Sequence, residues 1–292
     1  MPKLYRDFDT QAQIDAQYNP SIALPDPTAP GKHFAAQAEK ARSTLKHHAG
    51  IPFGPTVHET LDIFPADAPN APVFVFIHGG YWRAFQSKDF HSVALGLHAS
   101  GITTVVVNYA LAPFVTIDEI TRQCRAAVAW TLRNIQNYGG DPTRVGVGGH
   151  SAGGHLGAMC LQTAWDTDYG LPRDPLKAGL LFSGLYELEP LRYSYLQPMI
   201  QLDEGIIRRQ SPTPNLRVCP TPTWVIWGGA ESGEFARQST GYRDAAVALG
   251  NPVELSAIEG ADHFFKDEEA HMKPMIETVQ SYVKRRLTEG SR

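Results

Sequence analysis

Arg144-Val145-Gly146-Val147-Gly148-Gly149-His150-Ser151-Ala152-Gly153-Gly154-His155-Leu156 is the stretch whose reading decides the fold. It divides at Ser151. The preceding RVGVG is a short run of valine and glycine, the pattern of a strand buried on both faces. The following Ala152 to Thr163 has the length and small, apolar composition of a helix. Between them, Gly149-His150-Ser151-Ala152-Gly153 matches G-x-S-x-G. A strand that turns directly into a helix at such a pentapeptide places the serine on a corner too tight for neighbouring side chains. The hydroxyl then projects above the sheet edge, and the helix N-terminus beneath it favours developing negative charge. The plainer alternative is a glycine-rich turn whose serine only caps the helix.

Upstream, Pro72 to Ile77 is another buried apolar run, and it opens into His78-Gly79-Gly80-Tyr81-Trp82. A glycine-rich turn after an earlier strand can aim backbone N–H groups at an oxyanion, together with the N–H of the residue after the serine. Those donors would come from Gly80, Tyr81 and Ala152. His78 is expected to brace the turn through hydrogen bonds. Trp82 is expected to contact substrate as pocket wall, with core packing as the alternative.

Further outward the pattern alternates. Strands are expected at Val57–Phe64, in ITTVVVNYA from Ile102, in AGLLFSG from Ala178, in TPTWVIWGG from Thr221 and in PVELSAIEG from Pro252. Helices are expected at Lys32–His48, Phe90–Ala99, Ile117–Asn137, Phe235–Leu249 and Glu268–Leu287. Such alternation predicts an α/β protein with a mostly parallel central sheet flanked by helices. Residues 1–54 read as an N-terminal arm and helix packing on a core domain of residues 55–292. Residues 186–217 lack a period, carry four prolines and read as a small helical lid, with a long surface connection as the alternative.

Composition narrows the function classes. The 292 residues are 42% hydrophobic and 19% charged, with a formal net charge of −4. That balance gives no footprint for nucleic acid, and no apolar run is long enough to span a membrane. The three cysteines, Cys124, Cys160 and Cys219, are scattered, which speaks against a disulfide framework or a zinc site. The polar N-terminus lacks a secretory pattern, so a cytoplasmic protein is expected. No HExxH, Walker or dinucleotide motif occurs, and neither metal nor cofactor is expected.

Taken together, HGGYW and GHSAGG resemble the α/β-hydrolase superfamily, and within it the kynurenine formamidase (arylformamidase) group and its esterase relatives, which more often carry HGGG at the first motif. The resemblance spans roughly residues 55 to 287. The order of catalytic residues in this fold is serine, acid, histidine. The segment Gly260-Ala261-Asp262-His263-Phe264 looks like the family's histidine loop, which implies His263 as base. His155 lies on the helix after the serine and His271 inside the closing helix pattern. Glu231-Ser232-Gly233-Glu234-Phe235 matches the family's acid loop with glutamate in place of aspartate, implying Glu231 as acid. Glu187 is the alternative, and Glu234 reads as a helix N-terminal residue. Ser183-Gly184-Leu185-Tyr186 resembles a segment lining the acyl pocket, so Tyr186 is a second candidate for substrate contact, with core packing equally open.

The resemblance implies a serine hydrolase with Ser151, Glu231 and His263 as its triad, acting on a small acyl amide or ester. N-formyl-kynurenine is the leading substrate, and a homodimer is compatible with it. The alternatives are a carboxylesterase or a hydrolase of carbamates or aryl amides. From a different class, a catalytically silent ligand receptor is disfavoured by the complete Ser, His and carboxylate set.

Overall fold

A computed structural model of the chain describes residues 3–22, 24–26, 28–264 and 273–288. The expected helix start at Glu268 and the residue His271 lie outside these ranges. β3 (Ala71–Ile77) and β4 (Thr103–Val107) are runs rich in β-branched and aromatic residues, β5 (Gly140–His150) is valine and glycine from Val145 to Gly149, and the three form the centre of the sheet. They are joined to β6 (Leu176–Phe182), β7 (Thr223–Gly228) and β8 (Val253–Ile258). The strands β1 (His48–Pro52) and β2 (Thr60–Phe64) complete one edge. The eight-stranded order is β1-β2-β4-β3-β5-β6-β7-β8. β2 runs antiparallel to both β1 and β4, and every other pairing is parallel.

Alternation along the strands sorts the core into two layers. Val73, Val75 and Ile77 face one cluster, which takes in α4 (Ile117–Asn134), α5 (Ala152–Leu161) and α9 (Gly233–Ala248). Phe74 and Phe76 face the other, packed by α3 (Val93–Ala99) and α10 (Lys273–Thr288) together with Ala41 of α2 (Ala29–Thr44). Covering both faces of a parallel sheet in this way is the α/β architecture expected from the sequence.

Several boundaries differ from expectation. The segment read as helix up to His48 ends at Thr44, and His48 already begins β1. The first strand of the sheet therefore lies within residues 1–54, so a boundary at 54 cuts β1 from its partner β2. Val57–Phe64 contracts to Thr60–Phe64. The N-terminal arm holds an eight-residue helix, α1 (Gln11–Tyr18), opened by a Thr10–Gln13 capping box. A short α6 (Trp165–Tyr169) also went unread. Residues 186–217 are a helical excursion, with α7 (Gln197–Ile200), α8 (Glu204–Gln210) and two 3-10 turns. Among the described residues, no helix is long and apolar enough to cross a membrane.

Candidate active site

At the end of β5 the chain enters a conformation that few side chains adopt. Ser151 has φ 59° and ψ −119°, and α5 begins at the next residue. A non-glycine residue there costs on the order of 1–3 kcal/mol, and it persists only where the surroundings hold it. Here the Ser151 N–H donates to the Phe182 carbonyl at 2.8 Å, and its own carbonyl accepts from His155 N at 3.1 Å. A Cβ on Gly153 would fall on the Ile77 carbonyl, so only glycine lets the helix pass so close to β3. Ser151 is buried at the base of this corner.

The turn after β3 packs directly against it. A Cβ on Gly79 would stand 2.8 Å from the His150 carbonyl and 3.2 Å from Ser151 Cβ. Tyr81 and Trp82 follow with φ of 49° and 57°, two consecutive left-handed residues. Both Arg83 N and Ala84 N donate to the Gly80 carbonyl at 3.1 Å, closing the turn. His78 braces it as expected: its Nδ1 lies 2.8 Å from the Gly79 carbonyl, and its ring stacks 4.1 Å from that of Tyr109. Burial lowers the His78 pKa to about 4, so it is neutral at neutral pH and suited to bracing rather than proton transfer. Among the described residues, the N–H groups of Gly80, Tyr81 and Ala152 have no hydrogen-bond acceptor.

Trp82 and Tyr186 correct the sequence reading. Neither has exposed surface. The Trp82 indole N–H donates to His155 Nδ1 at 3.2 Å, and His155 Nε2–H donates to the Gln210 carbonyl at 2.6 Å. Trp82 thus ties the turn to the first turn of α5 from the interior. Tyr186 stacks on Tyr242 with ring centroids 4.4 Å apart. For both, packing won over pocket wall, because a flat ring buries its full area between two elements.

His263 and Glu231 lie on the loops after β8 and β7. His263 Nδ1 and Glu231 Oε2 are 2.6 Å apart, with both side chains buried. The Glu231 carboxylate also accepts from Gly228 N at 2.6 Å and Ser183 Oγ at 2.5 Å. Burial pushes its pKa up, but the charge and hydrogen bond of His263, then Ser183 and Gly228, bring it below the ordinary carboxylate value. The two loops are clamped together: Gly229 N donates to the Ile258 carbonyl and Ala230 N to the Ala261 carbonyl, at 2.7 and 2.9 Å. With Nδ1–H committed to Glu231, the lone pair of the His263 ring lies on Nε2.

His150, beside Ser151, joins the histidine loop to the corner. Its Nε2–H donates to the His263 carbonyl at 2.8 Å, and the two rings lie 4.7 Å apart. Burial and the neighbouring His263 lower its pKa to about 3, keeping it neutral. Sequence reasoning gave neither His150 nor Ser183 a part here. For His150 the available signal was a histidine at the first variable position of G-x-S-x-G. Glu187, the alternative acid, accepts from Arg237 Nη1 at 2.9 Å and Tyr5 Oη at 3.4 Å. Glu234 accepts from Tyr18 and Arg237 in the first turn of α9. Among the described residues, no group of three or more His, Cys, Asp or Glu is gathered to hold a metal ion.

A family model described as the alpha/beta hydrolase fold matches residues 74–210. The kynurenine formamidase of Danio rerio is 29% identical over 265 residues, covering 86% of this chain and 88% of the relative. Esterase LipQ of Mycobacterium tuberculosis is 26% identical, covering 84% of this chain and 61% of the relative. Among solved structures, carboxyl esterase 2 of Tuber melanosporum superimposes with a TM-score of 0.71 at 23% identity, over 84% of this chain and 87% of that one. The monoclinic form of the Pyrobaculum calidifontis esterase gives 0.72 at 17% identity, over 90% and 94%. The chain thus has the α/β-hydrolase fold and is similar along most of its length to kynurenine formamidases and, more distantly, to an esterase.

Proposed function

We propose that the protein is a serine hydrolase of small acyl amides and esters, with N-formyl-kynurenine as its leading substrate. The observation that carries this reading is the buried His263–Glu231 pair, tied through the His263 carbonyl to His150, which precedes the left-handed Ser151. In the proposed reaction, His263 Nε2 takes the Ser151 proton as Oγ attacks the carbonyl carbon. The N–H groups of Gly80, Tyr81 and Ala152 receive the oxyanion. Glu231 holds the imidazole tautomer and stabilises the imidazolium. His263 then protonates the leaving nitrogen or oxygen. Water repeats the sequence on the acyl-enzyme and releases the acid, which is formate for a formamide.

The formamidase reading leans on the similarity to kynurenine formamidases over most of the chain. It also suits the chemistry, since a formyl group needs little acyl space and an anilide nitrogen leaves more readily than an alkyl amine. With Trp82 and Tyr186 inside the core, the aromatics beside the oxyanion turn include the exposed Phe85, next to Gly80, and Tyr195. Tyr195 is half-buried, with the Arg83 guanidinium 5.9 Å from its ring centre. A carboxylesterase is the second reading, favoured by the esterase relatives. The two separate on kcat/KM. N-formyl-kynurenine is expected to exceed p-nitrophenyl acetate by at least about tenfold, a differential of about 1.4 kcal/mol in transition-state binding. The reverse preference would replace formamidase with esterase and leave the serine mechanism standing.

A further inference from the structure

The last two residues of α1, in the N-terminal arm, reach the turn after β3, Ser232 beside Glu231, and the start of α9. Ile14 and Tyr18 are fully buried in the same core cluster as Ile77 and Ala152. The Tyr81 hydroxyl donates to the Tyr18 carbonyl at 2.5 Å. On the other side, the Tyr18 hydroxyl donates to Glu234 Oε2 at 2.6 Å and accepts from Gln238 Nε2 at 2.7 Å. One residue earlier, the Gln17 carbonyl accepts from Ser232 Oγ at 2.6 Å, immediately after Glu231. The Tyr18 ring packs on Phe235 at 6.2 Å, and Phe235 packs on His263 at 4.9 Å.

We propose that Tyr18 and the Tyr81 side chain are positioning residues, a brace that fixes the oxyanion turn relative to the loop carrying the acid. This deepens the serine-hydrolase reading and rests on it. Two consecutive left-handed residues do not hold themselves, and each has an anchor through its side chain. Trp82 is fastened to α5 through His155, and Tyr81 to α1 through Tyr18. The Tyr81 backbone N–H is therefore aimed by a hydroxyl at the far end of its own side chain. A brace of this kind acts where negative charge develops in the transition state. Its loss should leave binding of the neutral substrate intact.

The test uses the full chain carrying Tyr81→Phe, which keeps the ring and the backbone and removes the hydroxyl. On p-nitrophenyl acetate, kcat is expected to fall about tenfold with KM within twofold. The Ki of a trifluoromethyl ketone, which mimics the tetrahedral adduct, should weaken by the same factor as kcat/KM. Tyr5→Phe, which removes a hydroxyl elsewhere on the arm, should stay within twofold of the parent on both measures. Parent-like kcat and Ki in Tyr81→Phe would overturn the brace, as would a loss confined to KM. Should Tyr81→Phe fail to fold, Tyr18→Phe carries the test. It loosens the carbonyl by freeing its ring from Glu234 and Gln238, so kcat and inhibitor affinity should fall together, and an unchanged kcat overturns the brace. Ser151→Ala is run in parallel. If it retains turnover, the hydrolase reading itself fails, an outcome distinct from failure of the brace.

Discussion

Glu231 stands where the resembling family carries aspartate, and its extra methylene is accommodated by donors on both carboxylate oxygens. Oε1 takes Gly228 N and Ser183 Oγ, while Oε2 takes His263. These partners outweigh burial and keep the group ionised at neutral pH, which is what an imidazolium partner requires. Glu231→Gln is expected to reduce kcat/KM by a factor of about 10³ or more, because an amide can force the wrong imidazole tautomer. Glu187→Gln, which disturbs the ion pair with Arg237 and the hydrogen bond from Tyr5, should stay within about threefold. Steady-state kinetics on the two variants would reassign the acid if the losses were reversed. The sequence singles out Glu231, the partner of His263, because its place after β7 and the nearby Glu234-Phe235 pair resemble an acid loop. His150 is not singled out, because its partner is the carbonyl of a residue 113 positions away. Trp82 and Tyr186 misled because aromatic composition cannot distinguish a ring facing a ligand from one packed between two elements.

The decisive element is the unit of β5, Ser151 and α5. Its glycines bring the helix against the end of β3, and Gly153 is the tightest contact. Gly153→Ala should lower stability by more than about 2 kcal/mol, since the added methyl meets backbone that cannot retreat. The urea midpoint measures this, and an unchanged midpoint would contradict it. Elements with strong patterns were legible: β3, β4 and β6 as apolar runs, α4 by its period and long apolar face. The weak ones were not. β1 is an edge strand of sequence HAGIP, pairing only with β2 through an irregular register, so tertiary context makes it a strand. α1 buries only Ile14 and Tyr18, yet Thr10-x-x-Gln13 was a readable capping signal.

Across the whole molecule, the parallel strands β3, β5, β7 and β8 release their loops at one edge of the sheet, where ligands bind in open α/β folds. That geometry brings residues 78–82, Ser151, Glu231 and His263 together from four loops. The N-terminal arm crosses the same edge and fastens to two of those loops. The mostly parallel α/β layout was legible from the strand–helix alternation. The arm's contacts were not, since hydrogen bonds spanning 63 and 216 residues leave no local pattern. In the proposed mechanism this assembly activates Ser151. The most direct test of that activation is reaction of the purified protein with a fluorophosphonate, followed by peptide mass spectrometry. One adduct is expected, on Ser151, formed at least about 10²-fold more slowly in His263→Ala. An absent adduct, or one on another residue, would contradict the mechanism.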